Sequence, residues 1–431
     1  MRKEKKSRAK VRFQPRFQQI LVWLITVCLS VAYIAGGYRI FSQDVNIFNV
    51  DGAYVEKGRV EKIGETVSDQ YDLSEDITYE NNLTYFTVTL LTGPDKGMEV
   101  IAAQTSDNYT EVHEEPVSVG DKVILYNYGD ESMDVDWIFG GYARFDLLLV
   151  LGAVFFLLLL AFGKLKGLNT IISLTFTILA IFTVFIPSIL GGYNIYVMSL
   201  VTCIFTISMT LLLTNGASTK SLATILGCIF GVAVAAGLSI LFEKLLRLTG
   251  MLDEHSIYLT YLDSGVSLDL VALIYAMIVI GAMGAVMDVA MDIASSLYEI
   301  RLHARDIGFA SLVKSGIRIG RDVMGTMANT LVLAYIGSSL CSILLLITYS
   351  SSLRELLNRE SIVVEILQAL IGSTAILLTI PLTAIVCGVM YTQKPKPDIP
   401  VHKNAEVMEE KPISAMTEEE RQAYFFGENN K

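Results

Sequence analysis

Long apolar runs alternate with short polar segments over most of the chain. Each run is about 20 residues long, the length that a helix needs to cross roughly 30 Å of hydrocarbon. One run lies near the N-terminus, and the others follow Arg144. The pattern therefore predicts about eight membrane-spanning helices. They cover residues 20–40, 145–162, 168–186, 195–214, 221–242, 268–287, 323–348 and 362–392.

Between the first and second runs the pattern changes to that of β-strands. In residues 83–91, Phe86, Val88 and Leu90 alternate with polar or aromatic residues, the period of a half-buried strand. Further strands are predicted within residues 98–103 and 133–138, and two short strands are predicted around Gly120 and Asp121 within residues 117–126. About five short strands in this region predict a small closed or partly open all-β barrel, similar in layout to an OB-fold.

These patterns divide the chain into consecutive parts. Residues 1–19 form a basic N-terminus, residues 20–40 the first span, and residues 41–142 an acidic β domain. A seven-helix domain follows over residues 143–392, and residues 393–431 are predicted to be a disordered tail. A basic segment before an apolar run also begins a signal peptide, but a run of full spanning length favours an uncleaved anchor.

The charges of the short loops predict the orientation, because Lys and Arg favour the cytoplasmic side. The loop at residues 163–167, together with Lys220, Lys394 and Lys396, falls on the same side as the basic N-terminus. Both termini are therefore predicted to be cytoplasmic and the β domain extracytoplasmic, with the lipid bilayer as the main partner. The acidic β domain argues against nucleic acid as a partner.

Composition supports a multi-pass membrane protein and no enzyme. The chain is 52% hydrophobic and 18% charged, with a net charge of -11. Its five cysteines lie in apolar runs without metal-ligand spacing, so neither a zinc site nor a disulfide framework is predicted. Nucleotide-binding and hydrolase motifs are missing from the sequence. We therefore expect no catalytic activity and no cofactor.

A basic, half-apolar segment connects the sixth and seventh predicted spans. Residues 300–320 are predicted to form either a helix along the inner membrane surface or a plain connecting helix. The basic residues of the segment and its borders are Arg301, Arg305, Lys314, Arg318 and Arg321.

Acidic residues at helical spacing end the sixth apolar run. Asp288, Asp292 and Glu299 share one face of a helix, and the same face continues back through small residues. Charged groups in hydrocarbon are costly and commonly functional. Small residues permit close helix approach. The candidates for helix packing are Gly281, Gly284, Ala285, Gly325 and Gly337.

The seventh run carries a second polar face, with Asp322, Thr326 and Asn329. The two faces could line one hydrated cavity in which Asp288, Asp292 and Asn329 bind a cation or relay a proton. Alternatively, the acids lie at headgroup level and are solvated or paired with arginine. The spacing leaves both interpretations open, and no metal is specified.

Two segments resemble the YibE/F family of bacterial membrane proteins. They are GAMGAVMDVAMDIASSLYEI at residues 281–300 and GRDVMGTMANTLVLAYIGSSL at residues 320–340. The TVTLLTGPDKG and VSVGDKVIL segments resemble the family's extracytoplasmic portion. The resemblance implies a multi-span protein of the bacterial cell membrane with an external β domain, but no chemistry. The family motif maps onto Gly281, Gly284, Asp288, Glu299, Asp322, Gly325, Thr326, Asn329 and Thr330.

Two functional hypotheses follow from the sequence. The first is a transporter or permease-like protein that moves a small solute or ion along a polar path between the sixth and seventh spans. The second is a membrane-anchored scaffold whose β domain recognises a partner protein of the cell envelope. The oligomeric state is left open by the sequence.

Overall fold

The computed structural model describes residues 16–42, 54–74, 77–107, 115–129, 135–261, 267–304 and 306–393. Within these residues, a first helix, α1 (Arg16–Gly37), precedes a five-stranded barrel, and the remainder is helical. The predicted tail falls outside the described residues, as does most of the basic N-terminus.

The β domain is a closed barrel with strand order β1-β2-β3-β5-β4. Neighbouring strands pair antiparallel except β3 and β5, which pair parallel. The predicted small barrel is confirmed, and Phe86, Val88 and Leu90 are buried in its core as their alternation requires. The strands are β1 (Tyr54–Ser74), β2 (Ile77–Leu90), β3 (Glu99–Asp107), β4 (Lys122–Asn127) and β5 (Trp137–Tyr142).

Two predicted strands have different bounds. Of the two strands predicted within residues 117–126, only the second is present, as β4, and Gly120 adopts a positive φ of 96° in the turn before it. Strand β5 begins at Trp137, near the end of the predicted segment 133–138. Residues 133 and 134 of that segment lie outside the described residues.

The helical part follows the barrel directly. Two short π-helical stretches, Tyr38–Ser42 and Ile181–Phe185, extend α1 and α2. The helices after the barrel are α2 (Phe145–Ala180), α3 (Ile186–Leu190), α4 (Ile195–Asn215), α5 (Thr219–Leu246), α6 (Glu254–Thr260), α7 (Leu270–His303), α8 (Phe309–Ser338), α9 (Leu340–Tyr349), α10 (Leu353–Leu356) and α11 (Glu360–Gln393).

Seven helical segments in the described chain are long and apolar enough to cross a membrane, and α8 with α9 would supply an eighth if they form one span. This agrees with the predicted number. Helix α2 is interrupted at Lys164, which has a positive φ of 49°, and the break separates two of these segments. The seven segments are Gln19–Ser42, Phe145–Gly163, Leu165–Leu190, Ile195–Asn215, Thr219–Leu246, Leu270–His303 and Glu360–Thr392.

The predicted seventh span at residues 323–348 is not one continuous helix. Helices α8 and α9 meet at Ser339 with a bend of 64°. Gly337 and two serines occupy this junction, and Ser338 Oγ donates a hydrogen bond to the Tyr335 carbonyl oxygen at 2.9 Å. Small and hydroxyl-bearing residues commonly kink helices in this way.

The segment over residues 300–320, predicted to form a surface helix or a connecting helix, is divided between two helices in its described part. Helix α7 continues to His303, and α8 already begins at Phe309. One face of the first third of α8 is buried at Leu312, Gly316 and Gly320. Leu312 of this segment therefore packs inside the helical bundle, whereas Phe309 is exposed.

Helices α5, α7, α8 and α11 form the core of the bundle. Tyr275 and Ile278 of α7 are fully buried in one cluster, and Leu297 of α7 is fully buried beside Leu312 of α8 in a second. Cys203, Cys228 and Cys387 are buried, free and apolar in their surroundings.

The barrel is joined to the helical part by a charged contact. Asp146, in the first turn of α2, accepts hydrogen bonds from Lys57 of β1 and, at 3.1 Å, from Lys122 of β4. Because the barrel ends at Tyr142, this contact lies where the chain passes from β5 into α2.

Candidate functional site

Helix α7 has one buried face and one exposed polar face. Val286, Val289 and Ile293 are buried, whereas Asp288 and Asp292 are exposed. This division follows from the helical period of 3.6 residues, which separates the apolar positions from the acids. The exposed face contains Gly281, Gly284, Asp288, Asp292 and Glu299.

Helix α8 presents a similar exposed face. Thr326 and Asn329 are both exposed, and Thr326 Oγ1 donates a hydrogen bond to the Val323 carbonyl oxygen of its own helix at 2.9 Å. The members of this face are Asp322, Gly325, Thr326, Asn329, Thr330 and Gly337.

Helices α7 and α8 pack antiparallel, and two contacts between them show which residues of the two exposed faces lie level with each other. A Cβ at Gly281 would be 2.5 Å from Tyr335 Oη, and a Cβ at Gly316 would be 2.8 Å from Leu297 Cδ1. Counting along both helices from these two contacts places Asp288 level with residues 325–328 and Asp292 level with residues 321–324. We call the adjacent exposed faces of α7 and α8 the α7/α8 groove.

The α7/α8 groove is open in the described chain, and of the two interpretations left by the spacing this agrees with exposed acids more than with a cavity closed by one chain. Its acids and its amide are all exposed at the surface of the described chain. Two cavities of the described part lie elsewhere, a volume of about 530 Å³ beside Trp23 and Asn169 and one of about 550 Å³ beside Glu243. The role of Asp288, Asp292, Glu299, Thr326 and Asn329 in transport stays a prediction.

Two of the small residues named as helix-packing candidates lie against other helices. Gly281 contacts Tyr335, and Ala285 packs against the cluster between α7 and α11. In the described part of the chain nothing lies within 4 Å of a Cβ built at Gly284, Gly325 or Gly337, so no helix of the same chain packs closely there.

Other glycines make the close helix contacts. Gly227 and Gly231 of α5 lie against Thr383 and Thr379 of α11. Gly316 and Gly320 of α8 lie against Ala384 and Ile380 of the same helix. Both pairs have the G-x-x-x-G spacing, so a search for that motif would have found them.

The predicted basic residues have different surroundings. Arg301 is buried, and its Nη1 donates to the Ile307 carbonyl oxygen at 3.2 Å across the turn between α7 and α8. Lys314, Arg318 and Arg321 are exposed along α8. Arg305 lies outside the described residues.

A buried acid, Glu243 of α5, lies beside the opposite end of α7. The predicted spans placed this residue in a loop, just after the span at residues 221–242. Glu243 of α5 is 5% exposed. Its Oε1 accepts a hydrogen bond from Ser239 Oγ at 2.7 Å, and its Oε2 accepts one from Tyr196 Oη at 3.4 Å. Within the described chain no Lys or Arg forms an ion pair with it. The i, i+4 spacing of Ser239 and Glu243 is a local signal, but the contact with Tyr196 requires the tertiary fold.

Glu243 and the α7/α8 groove occupy opposite halves of α7. The contact between Gly231 and Val286, with that between Tyr196 and Tyr275, places Glu243 level with the first turns of α7. At a rise of about 1.5 Å per residue, Asp288 lies about 20 Å further along α7. The intervening turns are apolar or small.

No group of three or more His, Cys, Asp and Glu side chains in the described residues is arranged to hold a metal ion. The polar groups of both sites are instead carboxylates, hydroxyls and one amide. Such groups exchange protons or contact hydrated ions and polar solutes.

A family model described as YibE/F-like protein matches residues 151–393. The chain belongs to the YibE/F-like family. Among curated proteins and among solved structures, no match was found.

The region shared with the YibE/F-like family runs from within α2 to the end of α11. It therefore includes both Glu243 and the α7/α8 groove, whereas the barrel precedes it. The family and the long apolar helices together identify a membrane protein.

Proposed function

We propose that this YibE/F-like protein is a transporter or permease-like protein of the bacterial cell membrane. A small solute or ion passes along the α7/α8 groove. The termini lie in the cytoplasm and the barrel lies outside, as the loop charges predict. No catalytic step is assigned to the chain.

The observation that carries the proposal is the shared height of the two polar faces. Asp288 is level with the turn of α8 that holds Thr326, and both side chains are exposed. Placing a carboxylate in contact with lipid hydrocarbon costs free energy, so water or protein must cover this surface wherever it lies in the hydrocarbon.

The depth of Asp288 suits a cytoplasmic entrance. If α7 enters the hydrocarbon at Leu270, Asp288 lies about 27 Å along the helix, near the inner boundary of a layer about 30 Å thick. Asp292 and Glu299 then lie beyond it, in or near water.

Reconstituted vesicles provide the test. The full chain is inserted into liposomes that contain a pH-sensitive dye, and gradients of protons, Na⁺ and K⁺ are applied in turn. We expect flux above that of protein-free liposomes in at least one gradient. Asp288→Asn and Asp292→Asn should abolish this flux, whereas Asp95→Asn in the β2–β3 turn should preserve it. Flux that survives both groove substitutions would overturn the proposal.

A second function, that of an envelope-binding scaffold, is favoured by the β1–β2 hairpin. The pairing of β1 with β2 continues to Ser74 and Ile77, while β3 pairs with β2 only as far as Asn81. Among the described strands, the hairpin therefore extends past β3 as a two-stranded ribbon. Isolated ribbons are marginally stable, so a partner strand or surface is expected to cover it.

A variant with a shortened β1–β2 hairpin distinguishes the transport function from the scaffold function. Asp69 pairs with Asn81, so an Asn-Gly turn in place of residues 70–80 should close the hairpin at that level. A transporter should keep its flux after this change. A scaffold should lose cross-linking to envelope proteins in intact cells.

A further inference from the structure

A row of acids on α7 lies beside a row of bases on α8. Glu299 is level with residues 314–317, and Asp292 is level with residues 321–324. All members of the two rows are exposed, and none forms an ion pair within the described chain. The acidic row is Asp288, Asp292 and Glu299, and the basic row is Lys314, Arg318 and Arg321.

Open glycine surface continues both rows towards the centre of the bundle. Gly284 of α7 and Gly325 of α8 have no described atom within 4 Å of a built Cβ. Glycines at such positions allow another helix to approach the backbone closely. The α7/α8 groove therefore combines charges that lack partners with a surface shaped for a helix.

We propose that a second copy of this chain closes the α7/α8 groove, with the acidic row of one copy against the basic row of the other. The two copies are related by a two-fold axis along the membrane normal. Such an axis preserves depth, so Glu299 of one copy lies level with Lys314 of the other. The same operation pairs both rows at once, as an isologous interface requires.

The dimer encloses the path that the proposed transport function needs. This role of the dimer rests on the proposed transport function. Asp288 and Asn329 of both copies then face one shared space between the subunits. The open groove of a single chain becomes a covered polar passage.

A charge-swap experiment tests the interface. One variant carries Asp292→Lys with Glu299→Lys, and the other carries Lys314→Glu with Arg321→Glu. Each variant alone places like charges against each other at both halves of the interface, so its self-association should weaken about tenfold or more. When the two variants are mixed, every reversed row meets an opposite row, and dimers should form again.

Single-molecule photobleaching in lipid bilayers measures the copies per particle for the full-length wild type, each variant and the mixture. Each variant also changes the charges between α7 and α8 within its own chain, but this change is the same whether the variant is alone or mixed. Only contact between copies therefore explains the return of dimers in the mixture. Gly284→Trp should also separate the copies, whereas Gly237→Trp, at an open position of α5, should not.

Wild-type monomers, or variants that dimerise as well as wild type, would overturn the proposed dimer. Dimers that show no flux in vesicles would contradict the transport function and leave the interface intact. Flux from particles shown to be monomers would contradict the proposed dimer and leave the transport function intact.

Discussion

Gly227 of α5 and Thr383 of α11 are in direct contact, since a Cβ at Gly227 would be 2.3 Å from Thr383 Oγ1. One helical turn later, Gly231 repeats the arrangement against Thr379. The backbones of two long helices approach closely here because neither glycine has a side chain. This contact holds together the core on which α7 and α8 rest.

Leucine at Gly227 or Gly231 should therefore destabilise the bundle. Overpacking of a tight contact costs about 1–3 kcal/mol. Thermal unfolding of the purified protein in detergent should show a lower midpoint for both variants. The matched control is Gly237→Leu in the same helix, where a Cβ meets open space. Equal midpoints for all three would contradict the close α5–α11 contact.

Glu243 should contribute to stability through its two hydroxyl partners. Glu243→Leu removes the acceptors of the Ser239 and Tyr196 hydroxyls, and a buried donor without an acceptor costs about 1–3 kcal/mol. Glu243→Gln keeps one carbonyl acceptor and should lose less. Unfolding in denaturant compares the two variants with wild type, and a larger loss for the glutamine variant would contradict the described contacts.

Phe86 should determine the stability of the barrel independently of the helices. It is 1% exposed, and its ring meets Phe139 edge to face, with centroids 6.4 Å apart. Phe86→Ala should cost about 3–5 kcal/mol. Hydrogen exchange of the full chain should rise in β2 and β3 and stay unchanged in α5 and α7. Ile101→Ala, at a side chain that is 59% exposed, is the control, with little effect expected.

Asp146 should hold the barrel in position at the start of α2. Asp146→Asn removes the charge that attracts Lys57 and Lys122. Spin labels on the barrel at residue 96 and on α2 at residue 162 should give a broader distance distribution. The hydrogen-exchange rates of the barrel should be the same in Asp146→Asn as in wild type. The control variant, Asp95→Asn, should give the wild-type distance distribution. An unchanged distribution in Asp146→Asn would show that other contacts orient the barrel.

Membrane orientation follows from labelling of single cysteines. After replacement of the five native cysteines, a cysteine at Lys96 should react with an impermeant thiol reagent applied outside intact cells. A cysteine at Lys314 should react only after the membrane is opened. Reaction of both positions from the same side would contradict the orientation proposed from the loop charges.

Local patterns determined most of the architecture. Apolar runs of spanning length predicted the number of spans, because a helix satisfies its own backbone hydrogen bonds and needs only sufficient length and apolar side chains. Alternation at Phe86, Val88 and Leu90 predicted which side of a strand is buried, because successive side chains point to opposite faces. The same periodic logic grouped Asp288, Asp292 and Glu299 on one helix face.

The sequence by itself thus determined the spans, the barrel and the membership of each helix face. It did not determine where each face points, because that depends on contacts between residues far apart in the chain. The acids of α7 are exposed since α5 and α11 cover the opposite side of that helix. Glu243 is buried since Tyr196, on another helix, reaches its carboxylate. Only the tertiary structure decided these matters, because a helix presents all its faces until neighbouring helices bury some of them.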